Sequence, residues 1–135
     1  LDRYTKLLTQ AIQDDPMDVG HWTALGLQYG NEGMEEEQAK CFAIARDCGP
    51  TAYLPWKASA QMVMRQARRW YEEVVANLGE AHPFHQEATR ILHWLTENAQ
   101  EMPKSGGART GSPVPLDVDL DTLVQVYHDH QGGTQ

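Results

Sequence analysis

The sequence repeats itself at one constant spacing. The pairs of residues that share this spacing are Leu8 with Phe42, Ala11 with Ala45, Pro16 with Pro50, and Trp22 with Trp56. A period of about 20 to 50 residues is typical of stacked units, each of which buries its apolar face only against a neighbour. The repeat therefore predicts a stack of similar units.

The best copy of the repeat, residues 18–50, reads as two antiparallel helices. One face of its first helix carries large apolar side chains at helical spacing, namely Trp22, Leu25 and Tyr29. Gly26 lies on the same face and would let a second helix approach closely. Asp18 is placed to cap the first helix, and Gly33 marks the turn that reverses the chain.

Seven residues of this copy carry a family pattern: Trp22, Leu25, Gly26, Tyr29, Phe42, Ala45 and Pro50. Their spacing resembles the tetratricopeptide repeat, over residues 1 to 102 of the chain. The resemblance implies an all-α fold: an antiparallel helix-pair solenoid, closed by a capping helix over residues 86–101 and followed by a short amphipathic tail. It also implies a non-catalytic module, a scaffold or adaptor whose groove binds a protein or peptide.

The resemblance further indicates which residues face a partner. Many chaperone-binding members hold a terminal carboxylate with a Lys and an Asn, where this chain has Thr23 and Leu27, so that clamp is absent. The candidate partner-binding residues are Thr23, Leu27, Lys57, Gln61, Met64, Arg65 and Arg68. Arg65, Arg68 and Arg69 form a basic cluster in an acidic chain, which favours an acidic protein or peptide as the partner.

A narrower resemblance leads to a second functional hypothesis. The residues that carry it are Arg3, Leu7, Leu8, Ala11, Asp15, Pro16, Leu25, Gly26, Tyr29 and Gly33. They are similar to the helical extension that follows the catalytic domain in some bacterial family 2 glycosyltransferases. On this alternative the chain is a C-terminal accessory repeat region, and the nucleotide-sugar domain lies outside it.

Two stretches depart from the regular pattern. Residues 1–15 read as the second helix of an earlier, truncated unit, which suggests a fragment of a longer protein. The side chains predicted to face inward there are Tyr4, Leu7, Leu8 and Ala11. After Pro55, an apolar stripe continues to Leu78, with Ala67 where the turn glycine would recur. We expect a turn at residues 66–69, the alternative being one helix over residues 55–76.

The composition changes sharply beyond Pro103. We predict a repeat domain over residues 1–103, a flexible linker over 104–116 and an acidic amphipathic tail over 117–135. One apolar face of the tail comprises Leu120, Leu123, Val124 and Tyr127. Since the tail is acidic and residues 57–69 are basic, we expect the tail to dock as a helix on the repeat, either of its own chain or of a neighbouring chain. Docking on a neighbouring chain would make an oligomer. The alternative is a solvated tail.

Charge and cysteine content exclude several classes of function. The 135 residues carry 11 Lys and Arg against 19 Asp and Glu, a formal net charge of −8. Such a balance repels nucleic acid and anionic membranes. Cys41 and Cys48 are seven residues apart in one predicted helix, too far for a disulfide, so reduced thiols and a cytoplasmic location are expected.

The sequence offers no catalytic constellation and calls for no cofactor. Asp117 with Asp119, and Asp119 with Asp121, match a D-x-D pair, but that motif needs a nucleotide-binding sheet, which this chain does not predict. His82 with His85, and His128 with His130, lack the further ligands of a metal site, so none is predicted. Of the tryptophans, Trp22 and Trp56 are assigned to the core, and Trp70 and Trp94 are expected to be partly exposed.

Overall fold

A computed structural model describes residues 3–99 and 116–132, and within these ranges the regular secondary structure is α-helical, without strands. Its helices are α1 (Arg3–Asp14), α2 (Val19–Asn31), α3 (Glu35–Cys48), α4 (Tyr53–Asn77), α5 (Pro83–Asn98) and α6 (Leu120–Gly132). The all-α prediction is thus confirmed for this part of the chain. Most of the predicted linker, residues 104–115, lies outside the described residues.

Helix ends recur with the period of the sequence. Helix α1 ends at Asp14 and α3 ends at Cys48, whereas α2 begins at Val19 and α4 begins at Tyr53, so both intervals equal the spacing of the repeated residues. The tryptophan hydrogen bond recurs too. The indole N–H of Trp22 donates to the Pro16 carbonyl at 2.7 Å, and that of Trp56 donates to the Pro50 carbonyl at 2.9 Å.

By contacts the chain divides into two compact units. The first contains the described residues 3–58 and 116–132, and the second contains residues 59–99. The first unit holds the apolar cluster to which α1, α2, α3 and α6 contribute. In the second unit, which comprises the rest of α4 and all of α5, the buried apolar side chains are Ala88, Leu95 and Ala99.

Helices α2 and α3 form the closest pair in the first unit. The Asp18 carboxylate accepts a hydrogen bond from the His21 N–H at 3.0 Å and so caps α2, as predicted. Gly33, with φ at 75°, allows the turn into α3. At the crossing, a Cβ on Gly26 would lie 2.5 Å from a Phe42 ring carbon, so only glycine fits there without a shift. The Gln38 amide donates to the Gly26 carbonyl across the pair.

The predicted inward face of α1 is wrong in part. The buried residues of α1 are Thr5, Leu8 and Ile12, whereas Tyr4 and Leu7 are exposed. Residues 5, 8 and 12 form one helical stripe, and residues 4, 7 and 11 form the next stripe around the helix. Helices α2 and α6 cover the first stripe, and this choice depends on tertiary contacts that the apolar pattern does not contain.

The turn expected at residues 66–69 is wrong, because α4 is a single helix of 25 residues. Nothing between Pro55 and Asn77 stops a helix: the stretch holds no glycine and no internal proline, and Ala67 is a strong helix former. The apolar stripe of α4 is covered unevenly. Ala67, Tyr71 and Val74 are half-buried, whereas Trp56 and Val63 are exposed.

Candidate functional site

In the first unit, α6 lies on an apolar surface. The apolar side chains of α6 that enter the cluster are Leu120, Leu123 and Tyr127, all buried, with Val124 half-buried beside them. Opposite them, the surface is formed by Leu8 and Ile12 of α1 and by Trp22 of α2. These three residues of α1 and α2 are called the first-repeat surface below.

An aromatic contact anchors α6 to α2. The rings of Trp22 and Tyr127 meet edge to face, with centroids 6.0 Å apart and planes at 73°. That geometry is the favoured one for aromatic pairs. Trp22 is fully buried. Tyr127 therefore contributes both apolar area and a directional contact to the docking of α6.

Polar contacts fix the direction of α6 along α3. The Leu116 N–H donates to the Met34 sulfur at 3.3 Å, next to the beginning of α3. Eleven residues later, Tyr127 lies beside Cys48, the last residue of α3. Helix α6 therefore runs in the same direction as α3. The Gln131 amide also donates to the Tyr127 hydroxyl, at 2.7 Å.

The start of α6 is capped by an aspartate. The Asp119 carboxylate accepts hydrogen bonds from the Thr122 N–H at 3.2 Å and from the Thr122 hydroxyl at 2.6 Å. The hydroxyl bond, with help from the N–H, holds the pKa of Asp119 below its usual value. One member of the D-x-D match thus has a structural role as a helix cap.

Burial raises the pKa of the titratable groups in this region. The Cys41 thiol, which is completely buried, has a pKa raised to about 12, and the Cys48 thiol has one raised to about 11. Burial also raises the pKa of Tyr29 and of Tyr127. These thiol and phenol groups are neutral near pH 7, so they add no charge to the apolar surface on which α6 lies.

The described contacts of α6 lie on the apolar cluster of the first unit. The sequence argument relied on attraction between the acidic tail and the basic stretch at residues 57–69. Within the first unit, α6 packs mainly against apolar side chains, among them Leu8, Ile12 and Trp22, which carry no charge. Ile12 and Cys48 were missed, although Ile12 lies four residues after Leu8 and shares its helical face.

The residues predicted to face a partner are divided between the two units. Thr23 is buried and its hydroxyl donates to the Val19 carbonyl at 2.8 Å, while Leu27 is half-buried. Lys57 is exposed, also in the first unit. The second unit holds Gln61, Met64, Arg65 and Arg68, which are half-buried along α4. The Arg68 Nε lies 3.8 Å from a Glu72 carboxylate oxygen.

One of the four tryptophans, Trp56, departs from the prediction. Trp56, assigned to the core, is 53% exposed, because the described residues include no helix that covers it as α6 covers Trp22. Trp70 and Trp94 are exposed, at 73% and 55%, as expected. The recurrence of a core tryptophan in the sequence does not reveal which copy is covered.

Across residues 3–99 and 116–132, no three His, Cys, Asp or Glu side chains come together in a way that could hold a metal ion. Within the same ranges, none of the helices has the length and apolar content needed to cross a membrane.

No protein-family model matches this chain, and no curated protein or solved structure matches it either. The two resemblances described from the sequence, to tetratricopeptide repeats and to a glycosyltransferase extension, stay predictions.

Proposed function

We propose that this chain is a non-catalytic protein-protein interaction module of the tetratricopeptide type, which binds an amphipathic helix on its first-repeat surface. The single observation that carries the proposal is the docking of α6. A helix with an apolar face buries Leu120, Leu123 and Tyr127 against that surface within the same unit. A partner helix with the same apolar spacing would find the same contacts.

Two observations support the repeat architecture within this proposal. The helix ends recur at the spacing of the sequence repeat, and so does the hydrogen bond from a tryptophan indole to a proline carbonyl. The close crossing at Gly26 is the feature for which the repeat pattern requires a small residue. Both cysteines are free thiols, which is consistent with a reducing cytoplasm as the proposed location.

Docking of α6 also implies competition. Because α6 belongs to the same chain, its local concentration near the first-repeat surface is on the order of millimolar. A partner helix must displace α6 before it can bind. The apparent affinity of the partner is therefore its intrinsic affinity multiplied by the fraction of time that the surface is free. The module is therefore proposed to be closed by its own helix until a stronger ligand arrives.

The test uses the full chain with Leu123→Asp, which places a charge at a buried position of α6 and should release that helix. A peptide of residues 116–132 is then added, and binding to the first-repeat surface is followed by the indole N–H signal of Trp22 in two-dimensional NMR. We expect saturable binding to the Leu123→Asp chain and at least about tenfold weaker binding to the wild-type chain, whose surface is occupied.

The controls are matched in charge. Gln125 is exposed on α6, so Gln125→Asp in the full chain adds the same charge without releasing the helix. A peptide that itself carries Leu123→Asp should not bind. Equal binding of both peptides, or no binding to the released chain, would show that the first-repeat surface is not a helix-binding site.

A further inference from the structure

The second repeat contains a counterpart of the first-repeat surface that α6 does not cover. One repeat later in the sequence, Trp56 takes the place of Trp22 and Arg46 that of Ile12, while the place of Leu8 is taken by Phe42, which is buried against α2. The local framework is the same in both copies, since each indole donates to the proline carbonyl six residues earlier. Burial differs completely: Trp22 has no exposed surface, whereas half of Trp56 is exposed.

The counterpart surface is defined by four residues. Tyr53, Trp56 and Lys57 lie at positions i, i+3 and i+4 of α4 and so share one helical face. From α3, the guanidinium carbon of Arg46 lies over the Trp56 ring, 5.5 Å from its centroid. The Lys57 ammonium lies 5.6 Å from the Tyr53 ring centroid. These four residues are called the second-repeat surface.

The two surfaces differ in charge. Where the first-repeat surface has Ile12, the second has Arg46, and where Thr23 stands in α2, Lys57 stands in α4. Two cations held over aromatic rings are thus concentrated on one face of a chain whose net charge is −8. Such a face attracts an acidic ligand, whereas the chain as a whole repels one.

We propose that the second-repeat surface binds an acidic amphipathic helix, with an aromatic residue on its apolar face, from a partner protein. The aromatic residue would pack against Trp56 as Tyr127 packs against Trp22, and acidic side chains would lie beside Arg46 and Lys57. Tryptophan, tyrosine and arginine are also the residues that most often dominate binding energy in protein interfaces. The inference rests on the proposed function in taking a helix as the ligand.

The helix that binds here comes from another protein rather than from a second copy. Helix α6 has an acidic, tyrosine-bearing sequence, but its millimolar local concentration keeps it on the first-repeat surface of its own chain. At micromolar concentrations a second copy therefore has no free α6 to offer. The second-repeat surface is left for an external ligand.

The test uses the full wild-type chain, in which α6 still covers Trp22. The probe is a synthetic peptide of residues 116–132, which contains four aspartates and Tyr127 and has no lysine or arginine. Binding is followed by two-dimensional NMR of the tryptophan indole N–H signals. We expect a saturable shift of the Trp56 signal that weakens as salt is raised from about 50 to about 500 mM.

Variants separate this surface from other exposed aromatics. Arg46→Glu should weaken binding at least about tenfold, because it reverses the charge that faces the ligand. Trp94 is as exposed as Trp56, so Trp94→Ala serves as the matched control and should leave the affinity unchanged. Arg46→Gln, which removes the charge with less perturbation, should give an intermediate loss.

Three outcomes would overturn the proposal. The Trp56 signal could stay unchanged at saturating peptide, or Trp94→Ala could weaken binding as much as Arg46→Glu. Sedimentation could also show that the wild-type chain dimerises without peptide and that Trp56→Ala abolishes the dimer, which would assign the surface to a second copy. A shift of the Trp22 signal alone would contradict this inference while supporting the proposed function.

Discussion

Gly26 is the residue at which α2 and α3 come closest. A Cβ built there would lie 2.5 and 2.6 Å from two carbons of the buried Phe42 ring, and 3.2 Å from the Cβ of Cys41. Neither neighbour can withdraw, because both are completely buried. The absence of a side chain at this position is therefore a requirement of the helix crossing.

We expect Gly26→Leu to lower the free energy of unfolding by about 1 to 3 kcal/mol through overpacking. Urea denaturation measures the change. The matched control is Ala60→Leu at the corresponding position of the second repeat, where the side chain is exposed and the effect should stay within about 0.5 kcal/mol. Equal losses for the two variants would contradict a specific close crossing at Gly26.

The thiol of Cys41 makes stability depend on pH. Its pKa rises from 9.0 to about 12 on folding, because burial penalises the thiolate. The native state therefore keeps the proton over a range in which the unfolded state loses it. Stability is complete below pH 9 and falls as pH rises above that value, by at most about 1.4 kcal/mol per pH unit for this group.

Urea denaturation at pH 7.5, 9 and 10 tests this dependence. The free energy of unfolding should decrease over the series in the wild-type chain. Cys41→Ala should be less stable at every pH, since it leaves a small cavity, but its stability should decrease less between pH 9 and 10. An identical decrease in both proteins would mean that Cys41 does not contribute.

At the scale of the element, glycine has opposite effects on stability in α4 and in the turn between α2 and α3. Ala67 lies inside a continuous helix, where glycine is less favourable than alanine by about 0.8 to 1.0 kcal/mol. Gly33 lies in a turn with a positive φ, which alanine adopts poorly. We therefore expect both Ala67→Gly and Gly33→Ala to lower the free energy of unfolding, by about 1 kcal/mol each.

The sign at residue 67 is the informative result. If the chain turned at residues 66–69 as it does at Gly33, glycine at position 67 would relieve strain and raise the stability. Thermal unfolding followed by circular dichroism distinguishes the two, and a rise in Tm for Ala67→Gly would contradict a continuous α4.

The first helix pair could be predicted from the sequence because its signals are local. Asp18 as the cap, Gly33 in the turn and Gly26 at the crossing each act on residues close by in the chain or on a pattern with helical period. The residues between Pro55 and Asn77 also favour a continuous helix, but the repeat spacing predicted a turn there. In the structure, the helix propensity of these residues determines the outcome, and the repeat spacing does not.

The site was less accessible to sequence reasoning, because it depends on which surfaces meet. The spacing of apolar residues in α6 indicates its apolar face, but its position against Leu8, Ile12 and Trp22 joins segments that are far apart in the sequence. No period relates these segments. For the same reason the sequence could not distinguish the covered Trp22 from the exposed Trp56, which occupy equivalent positions in the repeat.

At the scale of the whole molecule, the two units differ in how much they bury. The first unit contains large buried side chains such as Trp22, Tyr29 and Phe42, whereas Ala88, Leu95 and Ala99 are the buried apolar residues of the second. Buried apolar contact is what protects backbone amides from local opening. The free energy of opening should thus be lower in residues 59–99 than in residues 19–48.

Native-state hydrogen exchange measured by mass spectrometry tests this difference. Peptides from residues 59–99 should exchange before peptides from residues 19–48. Leu123→Asp should speed exchange in α1 and leave α5 unchanged, since α6 packs on α1 within the first unit. Uniform protection across both units would contradict the expected difference.

The contact between α1 and α6 also determines when the first unit is completed during synthesis. Leu123 follows Leu8 by 115 residues in the sequence, so it is made much later. At about 5 to 20 residues per second, the ribosome needs roughly 6 to 23 s to make the interval between them. Through most of this time Leu8, Ile12 and Trp22 have been made while α6 has not. A partner helix that competes with α6 therefore has its best opportunity while the chain is still being translated.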